Sequence, residues 1–187
     1  MAEQSYVLFE TALGACGIVW SARGVAGVQL PEKDAATTRA RLRRRHTEAR
    51  EAVPPSEIKE AMEAIVALLA GEPRDLTNIV VDDSAISDFN RRVYAIARKI
   101  PAGATMTYGE IAERLGDKTL SRAVGQAMGE NPTPIIMPCH RVLAANGKSG
   151  GFSGAGGVVT KLKLLTIEGA EPNGPTLFDR LPLAKGP

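Results

Sequence analysis

Reactive and metal-binding side chains are scarce in this 187-residue sequence, which has two cysteines, Cys16 and Cys139, and two histidines, His46 and His140. Two thiols cannot build the disulfide framework of a small secreted domain, so a reducing cytoplasm is the expected location. A structural zinc site takes four Cys or His ligands. One of the few here, His46, lies in the run Arg43-Arg44-Arg45-His46, where the surrounding cations repel a metal ion. Neither a metal nor a cofactor is expected. The longest apolar run, Ala64 to Ala70, is far shorter than the roughly 20 residues that cross a bilayer, which argues against a membrane partner. The start of the chain lacks a basic stretch followed by an apolar one, so no secretory signal is expected.

What is present is ordinary in bulk and uneven in detail. With 44% hydrophobic and 24% charged residues, the chain can bury the core of one medium domain or two small ones. The net charge of +2 hides a division along the chain. Residues 1–84 carry 10 Lys and Arg against 13 Asp and Glu, a balance of −3. Residues 85–170 carry 11 against 6, a balance of +5, and residues 171–187 carry 2 against 2. A basic second half beside an acidic first half fits a polyanionic partner for the second half alone.

Tyr6 to Thr11, Gly17 to Ser21 and Gly24 to Leu30 read as short strands of an antiparallel meander, divided by turns at Gly14 and Arg23-Gly24. Lys33 to about Arg50 reads as an Arg-rich exposed helix. Ser56 is placed to cap a second helix running to Leu69, with Gly71 past its end. Ile79 to Val81 is a candidate returning strand. This makes residues 1–84 a small α+β domain, in which Cys16 reads as a core residue. Residues 85–170 read as a mostly helical domain, and 171–187 as a Pro-rich tail. In the helical part, Ser87 caps a helix carrying Phe89, Val93, Ile96 and Ile100, ended by Pro101. Thr107 and Glu110 have capping-box spacing at the start of the next helix. That helix stops at Gly116, and a turn leads to another from about Leu120 to Met128. The pair is a helix-turn-helix candidate. Its second helix bears Arg122 and Gln126 among small residues (Ala123, Gly125, Ala127, Gly129). A surface so slim suits either close approach to a minor groove or tight packing against a neighbouring helix.

Pro134 to Met137 reads as a short buried strand running into Pro138-Cys139-His140-Arg141-Val142. Neighbours in an extended chain point to opposite sides, so contact between the Cys139 thiol and the His140 ring is not guaranteed. A glycine-dense stretch, Gly147 to Gly157, follows, and then a helix from about Val158 to Ile167.

Together Ile100-Pro101-Ala102-Gly103, Thr107-Tyr108-Gly109-Glu110, Ser121 to Gly125, Asn131-Pro132, Pro138 to Val142, and Lys161 through Leu164-Leu165 to Glu168-Gly169 resemble the O6-alkylguanine-DNA alkyltransferase family, the methylated-DNA–protein-cysteine methyltransferases. The segments fall in the family's order over residues 85–170. Residues 1–84 resemble its N-terminal domain more loosely. The resemblance implies a ribonuclease-H-like first domain and a winged-helix-like second one. It implies a monomer that flips O6-alkylguanine, and O4-alkylthymine by the same chemistry, out of double-stranded DNA. The alkyl group then passes irreversibly to Cys139, one per molecule. His140, the only histidine outside the arginine cluster, would take the thiol proton through a water, with Glu168 supporting the imidazole and Asn131 acting as a hinge. Such a relay should hold the Cys139 pKa below its free value. Arg122 would fill the gap left by the flipped base. Tyr108 would assist its rotation, and Thr107, Ser121, Ala123 and Gly125 would complete the DNA surface. Met128, Val142, Phe152 and Ser153 would line the pocket.

The sequence departs from the common pattern at several positions. Phe152 stands where many members have Tyr, and Tyr94 where Trp is frequent. The loop from Phe152 to Lys161 is about two residues longer than the common form, and the zinc ligands of some members are absent. The retained cysteine argues against a non-catalytic lesion-binding relative, and the lack of a cysteine-rich domain against a transcriptional regulator. A Cys-His-Glu hydrolase would differ by turning over.

Overall fold

The computed structural model describes residues 3–145, 152, 154 and 156–170. Three strands, β1 (Ser5–Thr11), β2 (Gly14–Ser21) and β3 (Gly24–Gln29), form the expected antiparallel meander. The second strand starts at Gly14, three residues before the position expected from the sequence. Gly14 and Gly24 both have positive φ, which lets the chain reverse tightly at the two turns. A two-residue strand, β4 (Arg50–Glu51), pairs parallel to β1, giving the order β3-β2-β1-β4.

Helix α1 (Ala35–Arg45), capped by the Asp34 side chain, packs on one face of this sheet, and α2 (Ser56–Leu69) on the other. The two-residue period of β2 divides its side chains between them. Cys16, Ile18 and Trp20 join Ile58, Ile65 and Leu68 in one cluster, while Val19 joins Tyr6 and Leu42 in another. A strand buried on both faces reads as a continuous apolar run.

Several sequence expectations change here. The Arg-rich helix ends at Arg45, because the chain turns extended to supply β4. Pro55 occupies the N-cap of α2, and Ser56, one residue inside, bonds to Glu57 instead of capping. Residues 79–81 form no strand; a single bridge joins Val81 to Val25. The Arg98 guanidinium then holds the preceding segment by donating to the carbonyls of Leu76, Thr77 and Ile79.

The rest of the chain surrounds a second apolar cluster built on α3 (Asp88–Ala97), α4 (Tyr108–Arg114) and α5 (Ser121–Gly129). Ser87 caps α3 as expected, although that helix stops four residues short of Pro101. The Thr107–Glu110 capping box is present on α4. A 3-10 turn over Lys118–Leu120 joins α4 to α5. Two short parallel strands, β5 (Met106–Thr107) and β6 (Val142–Leu143), tie the start of α4 to the segment after Cys139. The last helix is α6 (Gly157–Ile167).

The expected strand at Pro134–Met137 is absent. Ile135 has φ 76°, so the chain turns on itself and Met137 N–H bonds to Thr133 O at 2.8 Å. A β-branched residue in that region is strained, and its surroundings must hold it there. They are apolar: Ile135 and Ile136 lie in the first cluster, Met137 and Cys139 in the second.

Candidate acceptor site

Cys139 opens a 3-10 turn, Cys139–Arg141, so it is not in extended chain and its neighbour His140 does not point directly away from it. Both side chains are buried. Among the described residues no hydrogen bond joins the thiol to the imidazole. Instead His140 Nε2 lies 2.9 Å from Glu168 Oε1, at the C-cap of α6.

Arg141, the next residue, binds both carboxylate oxygens of Glu168, Nε to Oε2 at 2.9 Å and Nη2 to Oε1 at 2.8 Å. Its Nη1 donates to the Ile100 carbonyl. Burial alone would raise the Glu168 carboxyl. The hydrogen bonds from His140 and Arg141, and their charges, outweigh it and bring the pKa to about 2. Glu168 is therefore a carboxylate, and Nε2 donates to it. Burial holds the His140 pKa below its ordinary value despite that carboxylate, so the ring is neutral near pH 7. A neutral ring protonated on Nε2 keeps its lone pair on Nδ1. Nδ1 is buried and has no hydrogen-bond partner among the described residues.

Burial pushes the Cys139 thiol up, against the expectation that the relay would hold it below its free value. The Asn131 side chain, the charge of Lys161 and the backbone N–H groups of Cys139 and His140 oppose this without overcoming it. Asn131 is fixed by donating from Nδ2 to Met137 O at 2.8 Å and accepting from Thr133 N–H at 2.9 Å.

Lys161 belongs to the site although the sequence reading gave it no role. It is only 1% exposed, donates from Nζ to Val142 O at 2.5 Å, and stands 5.9 Å from the centre of the Tyr108 ring. Burial lowers its pKa to about 8. A lysine in a helix reads as a solvated cation, and only its place three and four residues before Leu164 and Leu165, on the buried face of α6, points otherwise. Arg141 likewise stands in the motif, but nothing in the sequence points to its clamp on Glu168.

The structure brings Tyr108, Asn131, Cys139, His140, Val142 and Glu168 into one neighbourhood. Burial and the nearby cysteine raise the Tyr108 pKa. Met128 is buried in the cluster that contains Cys139. Phe152 packs against both clusters, and its ring lies where a Cβ on Gly154 would sit. Ser153 lies outside the described residues, as does the tail after residue 170.

The other expected DNA-contacting residues lie at the start of α4 and on α5. The Thr107 hydroxyl is engaged with Glu110, and that of Ser121 with the Lys118 carbonyl. Arg122 is exposed in the first turn of α5, and Ala123 and Gly125 are half-buried beside it. A Cβ placed on Gly125 would meet nothing within 4 Å. Among the described residues, packing therefore does not require a glycine at this point of α5, whereas Ala127 on the same helix is buried in the second cluster.

A thiol set among an amide, a lysine and a neutral imidazole backed by a carboxylate has the surroundings of a nucleophile. The class of protein is one that carries a single such cysteine beside a pair of short helices. A family model described as 6-O-methylguanine DNA methyltransferase, DNA binding domain, matches residues 88–170. The methylated-DNA–protein-cysteine methyltransferase of Methanothermobacter thermautotrophicus is 33% identical over 158 residues, covering 84% of this chain and 81% of that one. Its counterpart in Mycolicibacterium paratuberculosis is 43% identical over 127 residues, 67% of this chain and 74% of that one. The crystal structure of Mycobacterium tuberculosis O6-methylguanine methyltransferase aligns with a TM-score of 0.68 at 30% identity, covering 89% of this chain and 93% of that one. Mycobacterium tuberculosis OGT in complex with DNA aligns with a TM-score of 0.68 at 29% identity, covering 88% and 92%. The chain belongs to the methylated-DNA–protein-cysteine methyltransferase family.

Proposed function

We propose that this protein repairs O6-alkylguanine in double-stranded DNA by moving the alkyl group to the sulfur of Cys139, once per molecule. The observation that carries the reading is the neutral His140, next to Cys139 in the chain, which is hydrogen-bonded through Nε2 to the ionised Glu168 and whose basic Nδ1 has no partner among the described residues. In the reaction the Sγ–carbon bond forms as the carbon–O6 bond breaks. The thiol proton passes to His140 Nδ1 through a bridging water and is returned to the departing guanine. No acyl group is formed, so water has nothing to cleave, and the thioether is final.

Arg122 takes the place of the flipped nucleotide, with Thr107, Ser121, Ala123 and Gly125 against the backbone, while Tyr108 assists its rotation and donates a hydrogen bond toward the guanine ring. Met128, Val142, Phe152 and Ser153 line the alkyl pocket, and Asn131 orients the acceptor turn. O4-alkylthymine presents the same carbon–oxygen bond and falls within the reading. The protein works as a monomer in a reducing cytoplasm, where Cys139 remains a thiol.

Residues 1–84 form a ribonuclease-H-like domain, a reading supported by the order β3-β2-β1-β4 with β4 parallel to β1. Residues 85–170 form a winged-helix-like domain around α4 and α5, and residues 171–187 a tail.

Intact mass after mixing with an O6-methylguanine duplex tests the function. We expect one added methylene unit, located on Cys139 and absent from Cys16, which is fully buried with its pKa raised to about 12. Cys139→Ala should bind the duplex and transfer nothing. Repeated turnover, or label on Cys16, would replace this reading with a hydrolase or a different acceptor.

A further inference from the structure

Tyr94 stands at the join between recognition and chemistry. It is 6% exposed, on α3, within the cluster that also holds Met128 and Cys139. Its hydroxyl donates to the Ala127 carbonyl at 2.7 Å, in the last turn of α5. One turn earlier on α3, Asn90 Nδ2 donates to Glu130 Oε2 at 2.9 Å, at the C-cap of α5. Gln126 Nε2 holds the other oxygen of Glu130 at 3.0 Å. The next residue, Asn131, carries the bond to Met137 O that leads to the acceptor turn.

The carbonyls at a helix end have no partner within the helix. Ala127 O receives a long 3.2 Å bond from Glu130 N–H besides that of the Tyr94 hydroxyl. Two side chains of one helix thus grip the end of α5 that faces the acceptor, while Arg122 occupies its other end. Arg122 lies five residues before Ala127, about 7.5 Å along the axis. A tilt about an unheld C-terminal end would move Arg122 relative to Cys139, and a misplacement of about 1 Å is enough to cost 100-fold in a reaction that needs alignment.

We propose that Tyr94, assisted by Asn90, is a positioning residue for duplex repair: its hydroxyl locks the C-terminal end of α5 to α3, so that the base turned out by Arg122 arrives in register with the Cys139 sulfur. This rests on the function proposed above. It concerns duplex substrates alone, because a free base needs no helix to extrude it. The hydroxyl replaces no group of the acceptor relay, which Tyr94 does not contact by hydrogen bond.

The test compares single-turnover transfer from an O6-methylguanine duplex and from free O6-benzylguanine, with rates normalised to the thiol titrated by the free base. Tyr94→Phe should slow the duplex reaction roughly three- to tenfold, keep the free-base rate within about twofold, and leave the pH profile of the free-base reaction in place. Asn90→Ala, on the exposed side of the same grip, should shift the duplex rate in the same direction by less. Fluorescence of 2-aminopurine placed beside the lesion should report slower extrusion in both. Equal slowing on the two substrates would make Tyr94 a packing residue, and an unchanged duplex rate in both variants would remove the proposal. A wild-type protein that transfers from neither substrate would remove the functional reading first.

Discussion

At the scale of single residues, burial decides the resting protonation of the site. It raises Cys139, lowers His140 and brings Lys161 to about 8, while paired donors keep Glu168 ionised at about 2. The resting pair is a neutral thiol and a neutral imidazole above a carboxylate. A proton transferred to His140 turns the Glu168 bond into an ion pair, so the carboxylate stabilises the thiolate-forming step. Glu168→Gln keeps the shape and removes that charge. We expect its rate with a free O6-alkylguanine to fall about tenfold at pH 7, and that of His140→Ala to fall further. Both should recover only above the ordinary thiol value of 9.0, because the buried thiol ionises late. Lys161 contributes its charge while protonated, so a Lys161→Met deficit should be largest below pH 8 and shrink above it. Single-turnover rates from pH 6 to 10 for the four proteins check this, and coincident wild-type and Glu168→Gln curves would reduce Glu168 to a helix-end residue. Cys139, His140 and Glu168 were legible in the sequence through their motif. The burial of Lys161 was not, since it depends on how α6 lies against the 139–143 segment.

At the scale of elements, legibility followed the locality of the signal. The Thr107–Glu110 box and the Ser87 cap are set by residues three apart, and both are present. The segment Pro134–Met137 misled because an apolar, β-branched run normally forms a strand, and only the two packed cores force Ile135 to φ 76°. The two-residue β4 has no local pattern at all. The slimness of α5 gives a test with opposite signs. Ala at position 125 would meet nothing within 4 Å among the described residues beyond its own helix backbone and chain neighbours, and should stabilise α5 by roughly 0.5–1 kcal/mol, the usual gain over Gly in a helix. The same methyl faces the proposed groove, so Gly125→Ala should raise the melting temperature while weakening duplex binding. Arg122→Ala should slow duplex repair much more than free-base transfer. Binding of undamaged duplex by the wild type should weaken as salt rises. A Gly125→Ala protein with unchanged affinity would turn that face of α5 away from DNA.

At the scale of the whole molecule, the acceptor segment is shared by two cores. Ile135 and Ile136 belong to one and Met137 and Cys139 to the other, and Val28 N–H bonds to Pro132 O at 2.9 Å across the join. The site and the fold therefore stand or fall together, and acid should reveal the coupling in two steps. His46 and His140 are both held below the ordinary 6.5 by burial. The unfolded chain binds their protons first, so stability begins to decline as pH drops below about 6.5. Glu168 and Asp82 are depressed to about 2 from ordinary values of 4.5 and 3.8. Their stabilisation is complete above those values and is lost as pH falls from there toward 2. Glu168→Gln leaves the buried Arg141 facing a neutral amide and should cost roughly 3 kcal/mol at pH 7. Below pH 4.5 the variant has no carboxyl at this position to titrate, so its stability should fall less steeply and approach that of the wild type. Urea midpoints measured from pH 8 to pH 3 check both steps. A flat wild-type midpoint between pH 7 and 5 would mean that the folded histidines take up protons as readily as free ones, and then burial would not be what keeps His140 neutral for Cys139.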